Sequence, residues 1–281
     1  LAEVRTHAQL LLEELRQVIP AFVARVDQPA RGRRWIEYFT KTRQDVEAAG
    51  RPFIGEESAE PRNEVTLTDF DPDGETKVVA AALYSVSELP DDQLLSLARR
   101  LSAAERADVL RAYIGTRSNR RHKPGRAFER TGYRFDVLGD YGAFRDLQRH
   151  RLLTLEWQTL GTRHGYVEPA AIEEAGALAD WRAVMDRSAE LFEKLRAAGL
   201  REVAPYAVVM AYRVRFYMEM NAREAMHVIE LRTAPQGHPS YRRICQAMHR
   251  AIAEVAGHHA IAEAMQFADH SEVELERLQQ E

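Results

Sequence analysis

Tyr217-Met-Glu-Met-Asn-Ala-Arg-Glu-Ala-Met-His-Val-Ile-Glu-Leu-Arg232 reads as the end of a strand running into a helix. Just upstream, Tyr212, Val214, Phe216, Met218 and Met220 alternate with Arg213, Arg215, Tyr217 and Glu219, the period of a half-buried strand. Asn221 stands where an N-cap belongs, and Glu224, three residues on, completes a capping box. At about 100° per residue, Arg223 and His227 are i,i+4 neighbours on one helix face, while Arg232 is rotated about 140° from His227 toward a different wall. An amide, two guanidiniums and an imidazole around one helix start suit a planar, anionic ligand. A capped helix with ordinary solvated charges accounts for the same residues.

Working outward, long helical patterns surround this corner. Residues 4–26 carry Val4, Ala8, Leu11, Leu15, Val18 and Phe22 at helical spacing, with Pro20 placed to kink or divide the helix. Trp35, Phe39 and Val46 predict a second helix over roughly 31–48, and Pro52, Gly55 and Pro61 predict a loop over 51–63. Residues 1–60 therefore read as a helical arm, possessing the character of the end of a preceding domain. The main domain is expected over 61–270, followed by a charged tail over 271–281. A start at Leu1 rather than Met is what a fragment of a longer protein would show.

Within the main domain, Val65, Leu67 and Phe70 predict a short strand closed by the turn Asp71-Pro-Asp-Gly74. Val78 to Val86 is ambiguous between helix and strand. Helices are expected over about 91–101 and 103–114, with Ser102 and Glu105 as a capping box. Tyr133, Phe135 and Val137 predict a strand, and a helix from Tyr141 is expected to carry Phe144, Leu147, His150 and Arg151. Pro169 to Gly199 reads as the longest helix, followed by a strand pair over Val203–Met220 and helices over roughly 238–256 and 259–268. Long helices with short strands of hairpin type predict an α+β fold.

Composition narrows the function classes. A net charge of −4 gives no general drive toward nucleic acid or acidic membrane. Arg117, Arg120, Arg121, His122, Lys123 and Arg126 form a basic loop that suits phosphate or nucleic acid, although such a run in a chain of acidic balance is more often merely solvated. Cys245 is the single cysteine, so no disulfide or cysteine-based metal site is expected, and it reads as a packed, inert thiol. No apolar run reaches about 18 residues, so no membrane span is expected.

A second constellation is Arg149-His-Arg-Leu-Leu-Thr-Leu-Glu-Trp-Gln-Thr159. Two arginines flanking a histidine offer planar donors for a phosphate, flavin or base edge. Pairing of Asp146 with Arg149 and His150 along a helix is the structural alternative.

Taken together, these residues resemble the flavin-dependent thymidylate synthases, the thymidylate synthase complementing protein family. That family carries Arg-His-Arg, seven residues, then Ser; here Arg149-His150-Arg151 is followed by seven residues and Thr159. Glu129 stands twenty residues before Arg149, as the Glu of the family's upstream motif does. Arg201 is similar to an arginine that contacts nucleotide in the family. Asn221, Arg223, His227 and Arg232 follow in the family's order. The resemblance implies a short antiparallel sheet packed with long helices, and a homo-oligomer binding FAD between subunits. It implies reductive methylation of dUMP, with methylenetetrahydrofolate and NADPH as co-substrates. Arg149, His150, Arg151, Asn221, Arg223 and His227 would line the flavin. Arg201, Thr159 and Arg232 would bind nucleotide, with Arg232 also polarising the pyrimidine.

The chain also departs from that pattern. Pro124 and Arg126 stand where the upstream motif has His and Ser, Asp146 where it has Gln, Trp157 where it has Glu, and Gly161 where it has Arg. These changes fall mostly on the nucleotide side. A second reading is therefore a non-catalytic copy kept for assembly, the second of a tandem pair; a third is nucleic-acid binding through the basic loop.

Overall fold

The structure is a computed structural model that describes residues 2–28, 33–55 and 57–271. The chain divides into two compact units, residues 1–61 and 62–281. The expected charged tail lies, apart from Ser271, outside the described residues.

The first unit is helical. α1 (Ala2–Val18) stops at Ile19, and α2 (Pro20–Val23) restarts with Pro20 in its first turn, where the missing N–H costs nothing. α3 (Arg33–Ile54) runs through Gly50 and Pro52, correcting the loop expected from 51 and making α3, not the segment after Pro169, the longer helix.

The second unit begins with β1 (Val65–Phe70), followed by α4 (Gly74–Tyr84), α5 (Asp91–Arg100) and α6 (Ala103–Ile114). The ambiguous Val78–Val86 stretch is thus mostly helix: Val78, Val79, Ala80 and Ala82 are all buried, so no alternation was available to read. Ser102 and Glu105 form the expected capping box in both directions. β2 (Gly132–Asp140), α7 (Tyr141–Leu147) and β3 (Thr154–Trp157) follow. α7 ends at Leu147, so His150 and Arg151 sit in the turn beyond it rather than on the helix.

The long helix expected over 169–199 is two helices, α8 (Ala170–Glu174) and α9 (Leu178–Ala197). Gly176 lies between them at φ 68°, a left-handed conformation that breaks the helix and suits glycine. The expected strand pair is a single strand, β4 (Arg213–Asn221), because Pro205 lies in a short 3-10 turn over 204–207. α10 (Ala222–Arg232), α11 (Pro239–Glu254) and α12 (His259–Ala264) complete the unit.

The sheet is antiparallel with order β1-β2-β4-β3. Tyr133, Phe135 and Val137 of β2 oppose Met220, Met218 and Phe216 of β4, and these six side chains bury one face against the helices. Gly139 makes room there, since a Cβ would come within 2.8 Å of the Ile244 side chain on α11. The other face is polar: Arg134 bonds Glu219 at 2.6 Å and lies 3.5 Å over the Tyr217 ring, and Arg215 pairs with Asp136. Cys245 is fully buried and its thiol is pushed up to about 12, as expected of an inert packed cysteine. No helix among the described residues is long and apolar enough to cross a membrane.

Candidate functional site

β4 delivers the chain to α10 through Asn221. Its side-chain Oδ1 accepts a hydrogen bond from the Glu224 N–H at 2.9 Å, the N-cap that the sequence predicts. Only half of the predicted capping box forms. The Glu224 carboxylate turns toward His150 instead, with Oε1 3.7 Å from Nδ1, and both side chains are buried. The Asn221 amide nitrogen has no partner among the described residues. Asn221 lines an open cavity of about 820 Å³ bounded by the strand ends near Phe70 and Thr131 and by Leu152–Thr154. Glu129 lines it as well.

The Arg149-His150-Arg151 turn meets α10 directly. Arg232 Nε donates to His150 Nε2 at 3.0 Å, and Arg232 Nη2 donates to the Asp146 carbonyl at 2.8 Å. Because Nε2 accepts, a neutral His150 carries its proton on Nδ1, the nitrogen facing Glu224. Arg232 Nη1 is 3.8 Å from Asp146 Oδ1, and the guanidinium lies 5.3 Å from the Tyr241 ring centre. The His227 ring stands edge-on to His150 with centres 5.6 Å apart. Burial holds the His227 imidazole below its usual range, and Lys123, His150 and Arg120 push the same way against Glu224.

Arg223 and the basic loop are drawn into the same region. Arg223 Nε donates to the Pro124 carbonyl at 3.0 Å, and its Nη1 is 3.7 Å from Glu129 Oε1. Arg117 is not part of a solvated run. It is buried, donates to both oxygens of Glu230 at 2.6 Å, and donates to the Ala264 carbonyl. Arg120, Arg121, Lys123 and Arg126 stay exposed. The loop is therefore tied to α10 at Arg223 and Glu230, with His227 between those ties on the same helix face.

One chain does not gather every expected residue. Arg149 is exposed, with Nη1 3.6 Å from Asp146 Oδ1. Arg151, Thr159 and Arg201 are also exposed, Thr159 just past β3 and Arg201 in the turn after α9. Two participants carry no functional signal in the sequence: Glu224 reads as a cap, and Tyr241 stands in an ordinary helical stretch.

The donor atoms of His150, Glu224 and His227 lie within 4.8 Å of one another, a two-histidine, one-carboxylate set of the kind that binds metals. The surroundings oppose a cation. A ligating imidazole normally donates its second N–H outward, whereas His150 accepts a hydrogen bond from Arg232, and Lys123 and Arg120 act on His227. Of the residues that the resemblance assigns to a flavin, Asn221 lines the cavity, whereas Arg149, His150, Arg151, Arg223 and His227 do not. The cavity is of ligand size, and the unpartnered Asn221 amide supplies a neutral donor at its wall.

Comparison with known proteins shows the family and the fold. The profile of the thymidylate synthase complementing protein family matches residues 66–258. A UPF0159 protein of Chlamydia muridarum is 34% identical over the whole chain, which covers 53% of that protein. One from Thermoplasma acidophilum is 34% identical over 73% of the chain and 41% of its own length. The chain thus spans about half the length, or less, of these relatives. Among solved structures, the UMP/dUMP methylase PolB from Streptomyces cacaoi, bound with 5-Br dUMP, shares the fold. Its TM-score is 0.56 at 20% identity, covering 74% of this chain and 97% of that one. With the family profile spanning both the Arg-His-Arg turn and the Asn221–Arg232 helix, this chain belongs to the thymidylate synthase complementing protein family.

Proposed function

We propose that this chain carries a flavin-dependent site for reductive methylation of a uridine-type nucleotide, dUMP being the substrate of choice. The observation that supports it most is the 3.0 Å bond between Arg232 and His150, which joins in one chain the two segments that the family resemblance assigns to one site. A solved relative by fold, described as a UMP/dUMP methylase, points to the same substrate class.

In this reading FAD supplies the electrons and the hydride, with methylenetetrahydrofolate as carbon donor and NADPH as reductant. Asn221 would hold the flavin through its amide nitrogen, with His227, Arg223 and His150 as the further flavin residues that the family resemblance implies. Arg232 stabilises negative charge that develops on the pyrimidine, a fixed cation aimed where charge appears. Arg149, Arg151, Thr159 and Arg201 are exposed in the single chain, and in this reading they would reach a ligand at a junction between copies of the homo-oligomer that the family resemblance implies.

A second reading is a non-catalytic copy that serves assembly. The close approach of Asp146 to Arg232 favours it, since an internal anion already sits by the cation that should take the nucleotide.

Spectroscopy of the purified protein separates the two. Under the first reading the protein retains FAD after unbound cofactor is removed, with an absorbance band at about 450 nm, and dUMP then perturbs that band. A preparation that is colourless again once unbound FAD has been removed rejects the catalytic reading.

A further inference from the structure

We propose that the Asp146 carboxylate is an internal counter-anion that sets how strongly this site takes a phosphorylated ligand. The inference rests on the nucleotide reading above and adds the residue that controls its affinity.

Asp146 lies in the last turn of α7, the end of a helix where an acidic side chain is unfavourable. What compensates it is a pair of guanidiniums: Arg149 at 3.6 Å and Arg232 at 3.8 Å from the same Oδ1. Neither distance is a hydrogen bond. The carboxylate neutralises the two cations without locking them, and its side chain keeps 33% exposure, so the contact is reachable from solvent.

Arg232 itself is held by other groups. Its Nε is on His150 and its Nη2 on the Asp146 backbone carbonyl, both of which survive a change of the Asp146 side chain. Replacing the carboxylate by an isosteric amide therefore leaves Arg232 in place and removes one negative charge from between two positive ones. With Arg232 at the pyrimidine the phosphate stands farther off; at about 10 Å, and a dielectric between those of water and the protein surface, removing that charge changes the binding of a dianion by about tenfold. A neutral nucleoside gains nothing.

The test compares dUMP with deoxyuridine by calorimetric titration of the FAD-treated protein. Asp146→Asn is expected to bind dUMP about tenfold more tightly than the parent, with deoxyuridine unchanged. The gain is expected to vanish in the Asp146→Asn, Arg232→Ala double variant, as a coupled pair requires. Asp146→Ala runs in parallel, so a folding defect peculiar to one substitution does not decide the outcome. Unchanged dUMP affinity in both single variants overturns the proposal, while dUMP binding by the parent leaves the nucleotide reading standing. An equal gain for deoxyuridine also overturns it, because the effect is then one of space and not of charge. If the parent and every variant bind neither FAD nor dUMP, the nucleotide reading fails and the proposal falls with it.

Discussion

Arg232 and His150 are 82 residues apart in sequence and are joined by a 3.0 Å hydrogen bond from guanidinium Nε to imidazole Nε2. The bond links the orientation of the arginine to the tautomer of the histidine, whose other nitrogen faces Glu224. Arg232→Ala is expected to lower dUMP-dependent turnover by about 10²-fold or more, the scale of losing one charge-stabilising donor. Flavin affinity is expected to stay within about twofold, since the flavin contacts proposed here lie with Asn221 and its neighbours. Steady-state rates and FAD titration check both halves; full activity in the variant would contradict the role.

Asn221 has two separable jobs. Its Oδ1 caps α10 and its nitrogen is free at the cavity wall. Asn221→Ala should cost about 1 kcal/mol in urea unfolding. Asn221→Asp should keep that stability, because a carboxylate caps equally well, yet weaken FAD about tenfold by replacing a donor with a charge. Parallel unfolding and flavin titrations decide it, and an Asp variant that binds FAD like the parent removes the donor role.

The buried pair Arg117–Glu230 ties the basic loop to α10 with both side chains 1% exposed. Removing one partner strands the other charge in the core. Arg117→Ala should therefore destabilise the unit by about 3–5 kcal/mol. A loss below about 1 kcal/mol in urea unfolding would show that the pair is not isolated from water.

Acidification should weaken the fold through His258. Burial lowers its imidazole from 6.5, opposed in part by Glu75 and Asp71, and Nδ1 is bonded to the Tyr133 hydroxyl at 2.8 Å. Between 6.5 and its lower folded value the unfolded chain binds more protons than the native one. The stability contributed by the neutral ring is thus complete above 6.5 and is lost as pH falls through the folded value. His164, His227 and His270 are shifted the same way and share the effect in the parent. His258→Asn should flatten the fall in urea midpoint between about pH 7.5 and 5.5; an unchanged slope would acquit this residue.

Much of this architecture is legible one segment at a time. The alternation through Val214, Phe216, Met218 and Met220, the Ser102–Glu105 box and the Asn221 cap are local patterns with local causes, and each forms. Misreadings arose where one residue outweighed a pattern or a burial pattern was uniform. Gly176 divided a helix whose apolar stripe ran on across it, and Pro205 removed half of an expected strand pair. α3 shows the reverse, since its helical run carries through Pro52.

The sequence by itself determined the family, the α+β class and which residues could carry chemistry, because motif spacing and side-chain periodicity are written along the chain. The tertiary structure alone decided what those residues touch. Arg117 became a core ion pair, Arg223 a loop anchor, Glu224 a partner of His150, and Asp146 the anion between Arg149 and Arg232. The physical reason is that charge interactions depend on distance through space and on burial, and neither is fixed until the sheet and helices bring segments some eighty or more residues apart into contact.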